Sequence, residues 1–182
     1  MNNDVLLKGN EIEIASDLVP YIYGAISDSI AKKYKISKTE LATALLAISF
    51  SEGSRNSKKG AIVFQSPLVL KGNNPFGIKG KGIKTKTFEY INGQKVLINS
   101  SFRRFESISE SIWFISTFIG SSERYKNARK AITGEAFLIE LQKAGYATSP
   151  DWFNKFTIPM FRKIIKVNDH RITSIYWYRR NQ

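Results

Sequence analysis

Two glutamates and a shortage of other reactive groups set the chemistry open to this chain. It has no cysteine and one histidine, His170, close to the C-terminus. Thiolate nucleophiles, disulfides and Cys- or multi-His zinc sites are therefore excluded, and a serine triad would have to use that single tail histidine. No metal and no cofactor is expected, so acid–base work falls to carboxylates. The first candidate is Glu52. Leu41, Leu45 and Ile48 recur at helical spacing, and the next step of that stripe is Glu52. Carrying a carboxyl toward the core at a helix end desolvates its ionised form and raises its pKa, as a general acid requires. Gly53 follows at once, so periodicity alone leaves open whether the helix has already ended and Glu52 faces water. The second candidate is Glu89, on the first strand of a hairpin that turns at Asn92-Gly93. Two carboxylates facing each other across a cleft are the equipment of glycoside hydrolysis. The sequence gives no distance between them, and any chain with several glutamates offers such pairs.

The elements that must hold these residues are mostly helical. Residues 16–34 read as a helix capped by Ser16 or Asp17, with Leu18, Ile22, Ala25 and Ile26 on one side and Pro20 in the first turn. Ser37-Lys38-Thr39-Glu40 is a capping box that opens the helix leading to Glu52. Residues 53–72 read as an irregular loop, followed by the turn-forming run Asn73-Asn74-Pro75-Phe76-Gly77 and a basic, glycine-spaced loop from Lys79 to Lys86. Strands 85–91 and 94–98 flank Asn92-Gly93, the pair that favours a type I′ turn. Ser107-Ile108-Ser109-Glu110 is a second capping box, ahead of Ile112, Ile115, Phe118 and Ile119. A further helix runs over about 134–144 and stops at Gly145, and Ser149-Pro150 starts another that reaches about Ile165. A basic aromatic tail, 167–182, contains Tyr176-Trp177-Tyr178-Arg179-Arg180. The pattern is α+β, one domain over residues 1–182, mostly helical with one small hairpin lobe.

Charge narrows the partners. Lys and Arg number 28 against 15 acids, giving +13 and a pI near 9.9. A field of that sign attracts polyanions: nucleic acid, anionic membranes or acidic wall polymers. Nucleic acid is not the expected partner, because no helix-turn-helix, ribonucleoprotein motif or zinc spacing is present. No run approaches the ~18–20 apolar residues of a membrane span, so no membrane insertion is expected. The N-terminal residues Met1-Asn2-Asn3-Asp4 do not read as a signal peptide.

Against this background Asn73-Asn74-Pro75-Phe76-Gly77-Ile78-Lys79-Gly80 resembles the NN-x-FGIKG signature of bacterial and phage endo-β-N-acetylglucosaminidases, glycoside hydrolase family 73. Other segments fall in the family's order. Ala47 to Gly53 is similar to the stretch that carries the acid, and Thr87-Phe88-Glu89-Tyr90 matches the hairpin. Ser101 to Phe105, Ser122 to Tyr125 and Leu141-Gln142-Lys143-Ala144-Gly145-Tyr146-Ala147-Thr148 complete a match over roughly 38–165. The resemblance implies a lysozyme-like fold and hydrolysis of peptidoglycan on the bond from N-acetylglucosamine to N-acetylmuramic acid. It implies Glu52 as acid, Glu89 as second carboxylate with a role that varies among members, and Tyr146 beside the reacting sugar. Asn74 and Phe76 would shape the cleft floor, and Tyr90, Phe102 and Tyr125 are candidates for stacking on sugars. Because the sugar's acetamido group can itself assist, Glu89 is not assigned as nucleophile. The expected partners are glycan strands and, where present, anionic wall polymers, with action at the bacterial cell wall as a phage lysin or an autolysin. The run Gly53-Ser54-Arg55-Asn56 departs from the family, as does the longer stretch between Glu52 and Asn73, so the lip of the cleft is unusual. A muramidase or lytic transglycosylase, and a non-catalytic wall-binding or virion subunit, are the alternatives.

Overall fold

The computed structural model describes residues 11–53, 55–57, 60–62 and 66–166; His170 and the tail 167–182 lie outside the described residues. Its centre is one helix, α3 (Lys38–Gly53), in which every residue from Leu41 to Phe50 is buried. The capping box forms as expected: the Glu40 N–H donates to Ser37 Oγ at 3.1 Å, and the Ser37 N–H donates to Glu40 Oε2 at 3.3 Å. A single apolar stripe understates this helix. Ala42, Ala44 and Ala47 keep its girth small, while the Thr43 and Ser49 hydroxyls donate back to the Thr39 and Leu46 carbonyls at 2.9 and 2.7 Å. With its polar groups satisfied internally, α3 accepts neighbours on all sides. α1 (Glu11–Ala25) and α7 (Gly134–Lys143) pack against it, and α5 (Ile108–Ser121) packs against α1.

Several boundaries differ from expectation. The helix expected over 16–34 is two, α1 and α2 (Asp28–Ala31), because Ser27 leaves the helical conformation and its Oγ caps α2 by accepting the Ile30 N–H at 3.3 Å. α1 starts earlier than the Ser16 or Asp17 cap, so Pro20 lies inside it rather than in its first turn. The loop expected over 53–72 contains a short antiparallel pair, β1 (Arg55–Ser57) with β2 (Gly60–Ile62), and then α4 (Pro67–Gly72). Ser66-Pro67 is a cap followed by a first-turn proline, and Ser66 Oγ accepts the Val69 N–H.

The second lobe is the hairpin β3 (Gly82–Ile91) and β4 (Gln94–Arg103), longer at both strands than the sequence pattern suggests. Asn92 and Gly93 have φ of 51° and 77°, the type I′ turn their identity favours. A lone two-stranded ribbon is marginal by itself, so its base is tied down. The Arg103 N–H donates to Ile78 O at 2.8 Å, the Gly80 N–H donates to Ser101 O at 3.1 Å, and Ile83 and Phe102 are buried. After α5, capped by Ser107, come a 3-10 turn (Glu123–Tyr125), α6 (Lys126–Lys130) and α7, which Gly145 ends at φ 72°. The last helical segment, α8 (152–166), begins later than Ser149-Pro150 suggests and winds as a π-helix over Phe153–Thr157. The architecture is the expected α+β arrangement. No described helix is long and apolar enough to cross a membrane.

Candidate active site

The run Asn73–Gly80 joins the two lobes, and its chemistry explains its composition. Asn73 ends α4 at φ 49°, and its Nδ2 donates to the Phe105 and Glu106 carbonyls at 3.0 and 3.2 Å. Asn74 is fully buried. Its Nδ2 donates to Ile78 O and Arg103 O at 2.9 and 2.8 Å, and its Oδ1 accepts the Ile78 N–H at 2.9 Å. One amide therefore closes the loop and fastens it to the base of the hairpin, a pattern that no apolar side chain could supply. Phe76 is buried in the helical core. Gly77 has φ of 63°, and a Cβ there would sit 3.3 Å from Glu52 Oε2, so glycine lets the backbone approach the carboxyl.

Glu52 occupies the last turn of α3. It keeps a partial opening to solvent, yet protein surrounds its carboxyl closely enough to push the pKa up to about 7. Burial is the main cause. The negative charge of Glu89 adds to it, while the Trp152 indole N–H and the Lys79 ammonium draw it back. The Trp152 Nε1 is itself buried and completes no hydrogen bond of ordinary geometry among the described residues. Gly53 supports the helix end: the Ser66 N–H donates to Gly53 O at 3.0 Å, and a Cβ on Gly53 would press on Val69 and Pro75. Behind it, the hydroxyls of Ser51 and Thr157 meet at 2.8 Å and tie α3 to the π-wound turn of α8.

Glu89 is placed by different means. Lys79 Nζ donates to its Oε1 at 2.6 Å and to Ser100 Oγ at 2.8 Å, while lying 4.3 Å over the Phe102 ring. The Thr148 hydroxyl donates to Oε2 at 2.7 Å. Burial works against ionisation, but the Lys79 and Thr148 hydrogen bonds and the Lys79 charge outweigh it, so the pKa is lowered. The Gly77 backbone beside Glu52 and the Lys79 ammonium on Glu89 belong to one loop, and the two carboxyls it serves are shifted in opposite directions. Tyr146 completes the site. Its hydroxyl donates to Phe76 O at 3.3 Å, and burial followed by the Glu52 charge raises its pKa, so it remains a phenol. No group of three acidic or histidine side chains that could hold a metal ion occurs among the described residues.

The remaining sequence candidates divide. Glu52, Glu89 and Tyr146 come together. Asn74, Phe76, Phe102 and Tyr125 are buried, so they build the cleft from behind rather than presenting a face to a sugar. Tyr125 stands against Tyr146 at 6.4 Å between ring centroids, and Phe102 carries Lys79. Strand alternation turns Tyr90 away from the face that carries Glu89; its backbone N–H alone joins the site, donating to Thr148 Oγ1 at 3.3 Å. Sequence reasoning misses Lys79, Thr148 and Trp152 as site residues. The first two lie within the matched segments, where their position was a signal; nothing local marks Trp152.

The sequence model of the glucosaminidase family, described as mannosyl-glycoprotein endo-beta-N-acetylglucosaminidase, matches residues 26–163, and the chain belongs to that family. Peptidoglycan hydrolase FlgJ from Pseudomonas aeruginosa is 37% identical over 90 residues, 46% of this chain and 22% of its own length. Exo-glucosaminidase LytG from Bacillus subtilis is 32% identical over 101 residues, 50% of this chain and 36% of its own. The matched region thus spans only 22% and 36% of these two curated relatives. A mutant peptidoglycan hydrolase from Sphingomonas sp. A1 superposes with a TM-score of 0.59 at 24% identity, covering 87% of this chain and 99% of that one. The catalytic domain of the autolysin Auto from Listeria monocytogenes gives 0.56 at 21%, covering 92% of each. These likenesses show the lysozyme-like glucosaminidase fold.

Proposed function

We propose that this domain is a glycoside hydrolase that cuts peptidoglycan glycan strands at the β-1,4 bond from N-acetylglucosamine to N-acetylmuramic acid. The observation that carries this reading is the split between two carboxyls of one site, Glu52 with a pKa of about 7 and Glu89 held ionised. Environments that push two acids apart assign their roles. Protonated Glu52 donates its proton to the glycosidic oxygen as the bond to the anomeric carbon breaks. The ionised Glu89, oriented through both oxygens by Lys79 and Thr148, offers negative charge to the cationic transition state. Tyr146, neutral and beside Glu52, limits the sugar's position at the floor. The anomeric carbon is then captured by water, either directly or after the sugar's own acetamido oxygen has closed a transient oxazolinium ring that water opens; water supplies the new hydroxyl, and its proton passes to a carboxylate of the site.

Membership of the glucosaminidase family supports the bond, and the names of FlgJ and LytG support the polymer. Action is accordingly at the bacterial cell wall, in lysis or turnover, and a net charge of +13 favours capture by its acidic polymers. Digestion of purified sacculi followed by end-group analysis tests the reading. New reducing N-acetylglucosamine ends are expected. Reducing or anhydro N-acetylmuramic ends would reassign the domain as a muramidase or transglycosylase, and no released ends would remove the activity altogether.

A further inference from the structure

Outside the carboxyl pair, the outer side of α5 carries an open aromatic groove of about 570 Å³ whose walls include Arg103, Trp113, Phe114, Thr117 and Phe118. Helical spacing sends Ile112, Ile115 and Ile119 into the core and leaves these larger rings outside, with Trp113 50% and Phe118 45% exposed. Single exposed apolar residues need no explanation, but a grouped aromatic concavity does. Phe114 and Phe118 lie nearly parallel, their centroids 6.0 Å apart. Arg103 lays its guanidinium 4.2 Å from the Phe114 centroid and 5.2 Å from that of Phe105. It forms none of the ion pairs among the described residues, so its flat face is used while its edge donors remain unspent. The Thr117 hydroxyl, in the same wall, is buried and has no partner among the described residues.

We propose that this groove is a subsite for a carboxylate-bearing sugar residue of the glycan strand, distinct from the Glu52–Glu89 centre. The inference rests on the glycan reading above. An apolar pocket of a few hundred Å³ with a small number of polar groups suits one or two sugar units. Aromatic faces offer stacking, and an arginine with free edge donors offers paired hydrogen bonds to a carboxylate. An N-acetylmuramic residue stripped of its peptide bears that carboxylate on its lactyl group, which N-acetylglucosamine lacks; in a peptide-bearing residue the same carboxyl is an amide. Buried contacts join the wall of this groove to the reacting centre. Asn74, which shapes the loop at Glu52, accepts the job of fixing Arg103 by donating to its carbonyl. On the other side, rings run from Phe118 to Tyr125 at 5.8 Å and from Tyr125 to Tyr146 at 6.4 Å.

The test uses the full chain and two probes of equal length, a peptidoglycan glycan fragment carrying muramic carboxylates and a neutral chitooligosaccharide. Calorimetric titration into the Glu52→Gln background reads binding without turnover. Arg103→Gln is expected to weaken the anionic fragment about tenfold and leave the neutral one nearly unchanged, whereas Trp113→Ala weakens both. In the active chain the same changes raise KM on glycan strands and leave kcat unaltered. Equal losses on both probes for Arg103→Gln would overturn the carboxylate assignment. Unchanged binding in Trp113→Ala, with or without a lower melting temperature, would assign the stripe to packing and overturn the subsite. Because Trp113 is half exposed, that variant remains informative if Arg103→Gln misfolds. Binding that follows the expected pattern in a chain that releases no new ends would sink the hydrolase reading and spare the subsite.

Discussion

Glu52 and Glu89 place the same functional group in two kinds of surroundings. Glu52 grows from a helix whose every face is covered, and its proton affinity is set mainly by the loss of water. Glu89 stands on a two-stranded ribbon with many exposed side chains, and its proton affinity is set by Lys79 and Thr148. Solvation energy belongs to the whole fold, whereas a pinned carboxylate depends on two partners. The helical site should therefore resist single substitutions around it, and the hairpin site should answer to them.

Replacing the acid itself has the largest expected effect. Glu52→Gln keeps the shape and removes the proton, so hydrolysis of sacculi should fall by about 10²–10⁴-fold, the range of general acid catalysis. The same change should stabilise the fold at alkaline pH. A carboxyl with a raised folded pKa binds more protons folded than unfolded between about pH 4.5 and 7, so wild-type stability declines across that window. Above it the penalty is complete, up to about 3 kcal/mol. Thermal melts should show Glu52→Gln above wild type at pH 8 and level with it at pH 4. Equal melting curves at pH 8 would mean that burial does not govern Glu52 and would dissolve the contrast with Glu89.

Next in size is the joint between the regions. Asn74→Ala strands the Ile78 N–H and the Arg103 carbonyl, while the Ile78 carbonyl keeps the Arg103 N–H. At ~1–3 kcal/mol for each buried group left unpaired, with partial relaxation, the loss should be about 2–4 kcal/mol in denaturant unfolding. Activity should fall with it even at temperatures where the chain stays folded, because the loop at Glu52 and the base of the hairpin share that amide. Undiminished kcat in the folded variant would show that the lobes position their carboxyls independently.

The difference between the regions also governs what was legible in the sequence. Local signals were reliable where a few adjacent residues close their own hydrogen bonds: the Ser37–Glu40 box, the Asn92-Gly93 turn, the stop at Gly145. They failed where a distant partner decides. Nothing local shows that α3 is buried all round, and that fact, rather than membership of one stripe, explains Glu52. Ser16 and Asp17 look like caps and would put Pro20 in the first turn, yet α1 starts at Glu11 and accommodates Pro20 inside. Aromatic residues in the matched segments suggested sugar stacking, yet Phe102 and Tyr125 pack inward, and strand alternation points Tyr90 away from Glu89. Trp152 could not be found, since its nearness to Glu52 depends on how α8 returns to the end of α3.

A smaller effect separates the two carboxyls by pH. Lys79 lowers both pKa values, through a hydrogen bond at Glu89 and through charge alone at Glu52. In Lys79→Met both limbs of the activity profile should move to higher pH, the acid limb further, because Glu89 loses a direct partner. Catalysis needs Glu89 ionised and Glu52 protonated, so activity at pH 5 falls relative to that at pH 7. A profile that keeps its acid limb would remove Glu89 from the reaction.

Trp152→Phe is the finest probe, since it touches one carboxyl only. The indole N–H lowers the pKa of Glu52, and its nitrogen is buried without a hydrogen bond of ordinary geometry. Phenylalanine removes the donor and retains a ring to face Phe156, 4.5 Å from the indole in the native packing. Glu52 should then hold its proton to higher pH, moving the alkaline limb upward while the acid limb stays fixed. Maximal kcat should change little, because the acid remains in place and only its titration is altered. If both limbs move, the substitution has disturbed the coupling between the carboxyls. If kcat falls with no movement of either limb, Trp152 serves packing alone, and burial sets the acid's pKa without help from this donor.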